Sequence, residues 1–107
     1  MIFPMGIIGW EGDLNLNMSI NSATNQVTRA KYQGLSSIDI YPENKYLSIS
    51  DKGEGGGGAF KINDITTYNG CTTYNAESQL SVVSISLCGK KGTLKYLTSN
   101  ITIDFSY

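Results

Sequence analysis

The chain of 107 residues contains no histidine and only two cysteines. The absence of histidine excludes every Ser-His-Asp or Cys-His nucleophile, and it removes the commonest metal ligand and the commonest general base near neutral pH. Without histidine, two cysteines cannot complete a tetrahedral structural zinc site of the usual cysteine and histidine composition. The sequence therefore predicts no metal site and no cofactor.

Charge is scarce as well, because Asp, Glu, Lys and Arg make up 16% of the residues, against about 25% in a typical soluble domain. Eight basic and nine acidic side chains give a formal net charge of −1 at pH 7. This balance excludes a generally basic nucleic-acid-binding protein. The carboxylates are scattered, and their spacing gives no support for the facing pair of acids that a glycosidase needs. We predict a protein that is not an enzyme.

Long apolar runs are missing too, and none approaches the roughly 18 residues of a membrane span. Residues 1–10 are apolar, but Pro4, Gly6 and Gly9 interrupt them and no basic residue precedes them, so they are not typical of a secretory signal. The sequence is compatible with a cytosolic protein and with a mature secreted chain. Of the possible locations, we favour the virion or the extracellular space over the cytoplasm. We interpret residues 1–10 either as an edge strand or as an apolar arm lying over a neighbouring subunit.

The clearest pattern that is present is strand-like alternation. It runs without a fault through residues 13–20 and again through residues 99–107, and weaker strands are predicted at 26–32, 36–41, 46–50 and 59–62. Such alternation is typical of a strand with one face in a core, and no window carries a helical apolar stripe. We predict a single all-β domain over 1–107, an antiparallel β-sandwich or partly closed barrel of about eight strands, with jelly-roll and immunoglobulin-like topologies both open.

Two hairpins can be placed in register. Asn69-Gly70 favours a type I′ turn, since both of its positions need φ > 0, and this turn opposes Tyr68 to Cys71 and the flanking threonines to one another. The second hairpin joins residues 79–88 to 93–98 through residues 89–92, with Cys88 opposite Thr93. Its apolar phase shifts at Val82–Val83, where we favour a β-bulge over an outward-pointing Val82.

The two turns also help to predict where the two cysteines lie relative to each other. Cys71 follows one turn and Cys88 precedes the other, so both thiols come to the same end of neighbouring strands if the intervening chain turns near residues 76–78. Distances that a disulfide can bridge are then expected. The alternative is two unrelated core cysteines in a reducing compartment.

One low-complexity stretch, residues 53–58, is almost all glycine. Glycine loses the most conformational entropy on ordering, so we predict a flexible loop between two strands. No Gly-Lys-Ser/Thr follows, which excludes a phosphate-binding loop. Asp51 and Glu54 flank the glycines, but their spacing matches no calcium loop, and a solvated turn is favoured.

The outward strand positions give the main functional indication, because all of them are polar and all but Asp104 are neutral: Asn15, Asn17, Ser19, Ser81, Ser84, Ser86, Asn100, Thr102, Asp104 and Ser106. Isolated monomers usually protect exposed strands with charges. We therefore predict a structural or assembly protein, such as a virion or fibre component, that self-associates through its Ser/Thr/Asn-rich strand faces and edges. The alternative is a small extracellular module that binds glycans through Trp10, Tyr68 or Tyr74 near turns.

Overall fold

The computed structural model describes residues 16–25 and 30–107, which form ten β-strands and no helix. None of this part of the chain provides a helix able to span a membrane. The predicted all-β class is confirmed for these residues. The strands are β1 (Leu16–Ser19), β2 (Ser22–Asn25), β3 (Ala30–Lys31), β4 (Leu35–Tyr41), β5 (Tyr46–Asp51), β6 (Gly58–Tyr68), β7 (Cys71–Glu77), β8 (Val82–Cys88), β9 (Lys91–Tyr96) and β10 (Ile101–Ser106).

The strands form one antiparallel sheet in the order β1-β4-β5-β6-β7-β8-β9-β10-β2-β3. β1 and β2 lie far apart in this order, although only two residues separate them in the chain. The N–H of Ile20 donates to the carbonyl of Ser36 beside β1 (3.0 Å), and the N–H of Asn21 donates to the carbonyl of Ser106 beside β2 (2.8 Å). Because one short segment reaches both regions, the sheet has to curl into a half-barrel.

Alternate residues of the strands pack on one face of this sheet and form the core. Met18, Ile103 and Phe105 are buried there, as the two clearest alternating stretches predict, and Ile20 packs against the same cluster. Residues 1–15 and 26–29 lie outside the described residues, so the predicted arm or edge strand, Asn15 and most of the 26–32 strand are not addressed. The most deeply buried large side chains are Tyr96, Ile38, Ile40, Leu47, Ile85, Leu94, Ile103 and Val83.

The first hairpin has the predicted register. Tyr68 lies opposite Cys71, Thr67 opposite Thr72, and Thr66 opposite Thr73. Asn69 and Gly70 have φ values of 51° and 79°, as a type I′ turn requires.

The predicted register of the second hairpin is wrong by two residues. Cys88 pairs with Lys91, so the turn consists of Gly89 and Lys90 alone. Gly92 belongs to β9 because it lies beneath the Phe105 ring: a Cβ atom there would come within 2.7 Å of Phe105 Cε2. The absence of a side chain at position 92 thus serves packing rather than the turn.

No bulge occurs at Val82–Val83, where the pairing of β8 with β7 is continuous and Val82 points outward. Register shifts occur instead between Leu35 and Ser37 and between Ile62 and Asp64. The second shift makes Asn63 an extra residue in β6. It reverses the inward and outward positions of the strand beyond that point.

Candidate functional site

The distal hairpin, residues 63–73, extends past the end of β5. β5 pairs with β6 only through residues 58–61, and the last bond on that side joins the N–H of Ile62 to the carbonyl of Lys45 at 2.8 Å. From Asn63 to Tyr68 no strand among residues 16–25 and 30–107 pairs with the outer edge of β6. Every residue from 63 to 70 is exposed. The distal hairpin therefore presents a sheet edge six residues long.

The turn fixes which backbone groups this edge offers. Tyr68 and Cys71 flank a two-residue turn, so their main-chain groups are directed at each other. Successive residues of a strand direct these groups to alternate sides. The main-chain N–H and C=O groups of Thr66 and Asp64 therefore point toward β7, as those of Tyr68 do. The main-chain groups of Ile65 and Thr67 point away from the sheet. The edge carries two donors and two acceptors.

The side chains of the distal hairpin divide between two faces. Ile65 and Thr67 stand opposite Tyr74 and Thr72 on the core face, and Ile65 remains 37% exposed. Asp64, Thr66 and Tyr68 alternate with them on the outer face. In the segment 63–68, Asp64 is the one charged residue. The edge is neutral and polar over most of its length.

The edge belongs to a supported sheet rather than to a free ribbon. β7 pairs with β8 along its whole length, from Cys71 opposite Cys88 to Glu77 opposite Val82. The Cys71–Cys88 disulfide joins these strands beside the turn, with the two Cα atoms 4.4 Å apart. The predicted disulfide is confirmed. Because it crosses directly between paired strands, it holds β7, and with it the backbone of β6, against the rest of the sheet.

A row of short polar side chains crosses the outer face behind the distal hairpin. The hydroxyls of Thr73 and Ser86 share a 2.9 Å hydrogen bond, and Thr93 donates to Asp104 over 2.9 Å. Hydrogen bonding among neighbours allows such groups to be packed closely at little cost. In order across the sheet, the row consists of Thr66, Thr73, Ser86, Thr93, Asp104 and Thr24.

The three aromatic residues predicted to bind glycans are not brought together by the described part of the chain. Tyr68 lies at the turn and is 78% exposed, whereas Tyr74 is 5% exposed and faces the core. The register sets these two rings on opposite faces. Trp10 lies outside the described residues, and glycan binding stays a prediction.

Sequence reasoning missed a buried polar cluster around Asp51, at the start of the glycine loop. Asp51 is 6% exposed, rather than part of a solvated turn. Its carboxylate accepts hydrogen bonds from the phenol of Tyr32 (2.8 and 3.0 Å), the phenol of Tyr96 (2.6 Å) and the N–H of Gly53 (2.8 Å). The N–H of Gly55 in turn donates to the Tyr32 oxygen over 3.1 Å. The cluster ties the loop to the core.

Burial dominates the electrostatics of this cluster. It raises the pKa of Tyr32 to about 12, with the adjacent Asp51 carboxylate contributing in the same direction. Burial and the hydrogen bond to Asp51 likewise raise the pKa of Tyr96. Both phenols are therefore neutral donors at physiological pH. The oxygens of Asp51 are occupied by internal donors, so the cluster is suited to holding the loop rather than to proton transfer.

An open groove of about 360 Å³ lies between β1 and the turn that joins β8 to β9. Among the described residues that line it, Lys90 is the one that is charged, and its ammonium group lies 5.8 Å from the centre of the Tyr107 ring. None of the described residues that line the groove carries a carboxylate. The other lining residues are Leu16, Asn17, Met18, Ser19 and Leu87.

Comparison of the chain with models of protein families, with curated proteins and with solved structures finds no match. The function of the chain is therefore inferred from the geometry of the described residues.

Proposed function

We propose that this chain is a non-enzymatic structural or assembly protein, such as a virion or fibre component, that self-associates through its Ser/Thr/Asn-rich strand faces and edges. The observation that carries this proposal is the edge of β6 from Asn63 to Tyr68 in the distal hairpin, with which no strand of residues 16–25 and 30–107 pairs. An edge of this kind is a ready template for another strand.

The sequence of the edge also supports association. Natural monomers protect edge strands with lysines, prolines, bulges or inward-pointing charges. Here the segment 63–68 contains neither Lys nor Pro, and its bulge lies at the end nearest β5. The polar row on the outer face adds neutral hydroxyl groups, which are cheaper to bury than ammonium groups when they find partners.

For the fold itself we propose a partly closed barrel rather than a sandwich. The bonds from Ile20 to Ser36 and from Asn21 to Ser106 support this choice, because they link the strand segment 16–25 to β4 and to β10 at once. In a sandwich, two separate sheets would pack face to face, whereas the described strands form a single sheet.

The direct test of self-association is light scattering coupled to gel filtration over a range of concentrations, with and without reductant. The proposal expects a defined oligomer or a larger assembly whose mass rises with concentration. Association should survive reductant, because the cysteines of the described chain are both used in the internal disulfide. A monomer at every concentration would contradict the proposal.

The alternative function, glycan binding, has one specific observation in its favour. Tyr68 is 78% exposed beside the polar turn residue Asn69, and an exposed ring next to polar groups suits stacking on a sugar. A glycan array with the wild-type chain and with Tyr68→Ala tests this. Tyr46→Ala, which removes a less exposed tyrosine, is the matched control. Binding that is lost only in Tyr68→Ala would favour the alternative.

A further inference from the structure

We infer that residues 63–68 of two copies pair antiparallel about a two-fold axis through Thr66, so that one continuous sheet runs across both copies. The inference rests on the proposed self-association and specifies its partner and its register. Such a contact is isologous, because the same surface of both copies takes part. It would turn the exposed edge of each chain into an interior pair of strands.

The register follows from the backbone groups that the edge offers. Ile65 and Thr67 are the residues whose N–H and C=O groups point outward, so hydrogen-bonded pairs have to join these two positions. Setting Ile65 of one copy opposite Thr67 of the other does this twice and uses all four outward groups of each chain. This register places Thr66 opposite its own copy.

Neighbouring registers leave edge groups without partners. If Ile65 lay opposite itself, Thr67 would face Asn63, which is the extra residue of the bulge. If Thr67 lay opposite itself, Ile65 would face Asn69, whose φ of 51° belongs to the turn. Neither position continues a regular strand, so only the register centred on Thr66 gives complete pairing.

The side chains of the outer face agree with this register. Asp64 of one copy comes opposite Tyr68 of the other, and the phenol hydroxyl is a suitable donor to the carboxylate. The two Asp64 carboxylates are kept apart, whereas like charges directly opposite each other destabilise a strand pair. The central pair of Thr66 hydroxyls is of a kind that favours cross-strand contact. The segment is therefore complementary to itself.

Disulfide trapping tests the register. Thr66 lies opposite its copy in a non-hydrogen-bonded pair, for which the Cα–Cα distance is about 4.5 Å, within the range that a disulfide bridges. Thr66→Cys should thus cross-link two copies under mild oxidation. Ile65→Cys is the matched control, because its own copy lies two positions away along the strand, about 7 Å before the gap between strands is added. Peptide mapping without reduction separates the new bridge from Cys71–Cys88.

A backbone substitution tests the edge itself. Thr67→Pro removes an outward N–H, which an edge strand tolerates, and should weaken self-association more than about tenfold. Thr67→Ala keeps the N–H and should associate as the wild type does. Circular dichroism and thermal unfolding check that each variant folds. If Thr67→Pro does not fold, the two cysteine variants decide the matter.

The outcomes separate the two proposals. Cross-linking of Thr66→Cys but not of Ile65→Cys, together with loss of association in Thr67→Pro, would support the pairing. Association that persists in Thr67→Pro while Thr66→Cys fails to cross-link would overturn the pairing alone. A wild-type chain that stays monomeric would overturn self-association and the pairing together, and would leave the edge to a strand from another protein.

Discussion

Tyr96 donates a 2.6 Å hydrogen bond to Asp51, although the two residues are 45 positions apart and lie on strands that three others separate in the sheet. The bond crosses the interior of the curled sheet and joins β9 to the end of β5. Gly55 lies against the Tyr96 ring, where a larger residue would overlap it. The glycine loop is therefore shaped by contact with a tyrosine, although its predicted flexibility is not tested by these contacts.

We predict that Asp51→Asn destabilises the protein by about 2 kcal/mol or more. The amide has nearly the shape of the carboxylate, but it is uncharged and presents an NH₂ group to donors that face it. Hydrogen bonds to a charged group contribute about 1.5–3 kcal/mol, and a buried donor left without an acceptor adds its desolvation cost. Urea unfolding followed by circular dichroism measures the change.

Glu43→Gln is the matched control for this substitution. Glu43 is exposed in the turn between β4 and β5, and surface substitutions usually stay within about 0.5 kcal/mol. Equal free energies of unfolding for the two variants would show that the Asp51 cluster contributes little beyond an exposed carboxylate.

Stability should fall at alkaline pH because of the buried phenols. Phenols of the unfolded chain ionise near pH 10, whereas the pKa of Tyr32 is raised to about 12 in the folded chain. Between these values the unfolded chain releases protons that the folded chain retains. The free energy of unfolding should therefore decrease by about 1.4 kcal/mol per pH unit for each such phenol. Below pH 10 both states keep these protons, and the phenols add no pH dependence.

Urea unfolding at pH values on either side of 10, in the wild type and in Tyr32→Phe, measures this effect. The variant has lost one phenol and should show a shallower decline through the same window. Parallel declines would contradict the assignment of the alkaline transition to Tyr32. Tyrosinate absorbance during titration of the folded chain provides a second readout.

The comparison of the two hairpins shows which parts of this fold a sequence can predict. Asn69-Gly70 predicts its turn locally, because both residues accept positive φ, and its register is correct. Residues 89–92 offer two places to close the second turn, and the choice depends on the ring of Phe105, which arrives from β10. A packing contact with a strand that is distant in the chain cannot be predicted from the local sequence pattern. β2 was missed for the same reason, since its pairing with β10 decides its conformation.

In the candidate site, too, local sequence predicts some features, whereas others depend on residues that are distant in the chain. The paired threonines of the distal hairpin were predicted, but the edge of β6 was not, because the extra residue Asn63 interrupts the alternation between the predicted strand 59–62 and the hairpin. Asp51 was missed because its partners Tyr32 and Tyr96 lie 19 and 45 residues away. The local sequence around an aspartate that precedes glycines is the same whether its side chain is exposed or buried.

Removing the disulfide should cost about 3 kcal/mol of stability. Cys71 and Cys88 are 17 positions apart, and closing a loop of this size restricts the unfolded chain by about that amount. The double variant Cys71→Ser/Cys88→Ser should unfold at lower urea concentration than the oxidised wild type and should not respond to reductant. The reduced wild type should resemble it. An oxidised and a fully reduced wild type of equal stability, with reduction verified by thiol alkylation, would contradict the prediction.

The close approach of β9 to the Phe105 ring makes Gly92 sensitive to the smallest enlargement. In Gly92→Ala the added Cβ would come within 2.7 Å of Phe105 Cε2 and 3.0 Å of Leu87 Cδ2. Overpacking of this kind typically costs about 1–3 kcal/mol. The residue has no left-handed φ, so the cost reports packing and not backbone strain.

A double-mutant cycle with Phe105→Leu tests this explanation, because leucine lacks the ring atoms that the new methyl group meets. Phe105→Leu alone should also destabilise the protein by leaving a cavity. If the methyl and the ring compete for one space, the double variant should be more stable than the sum of the single losses, by about 1 kcal/mol or more. Additive losses would mean that Gly92 is required for something other than room for Phe105.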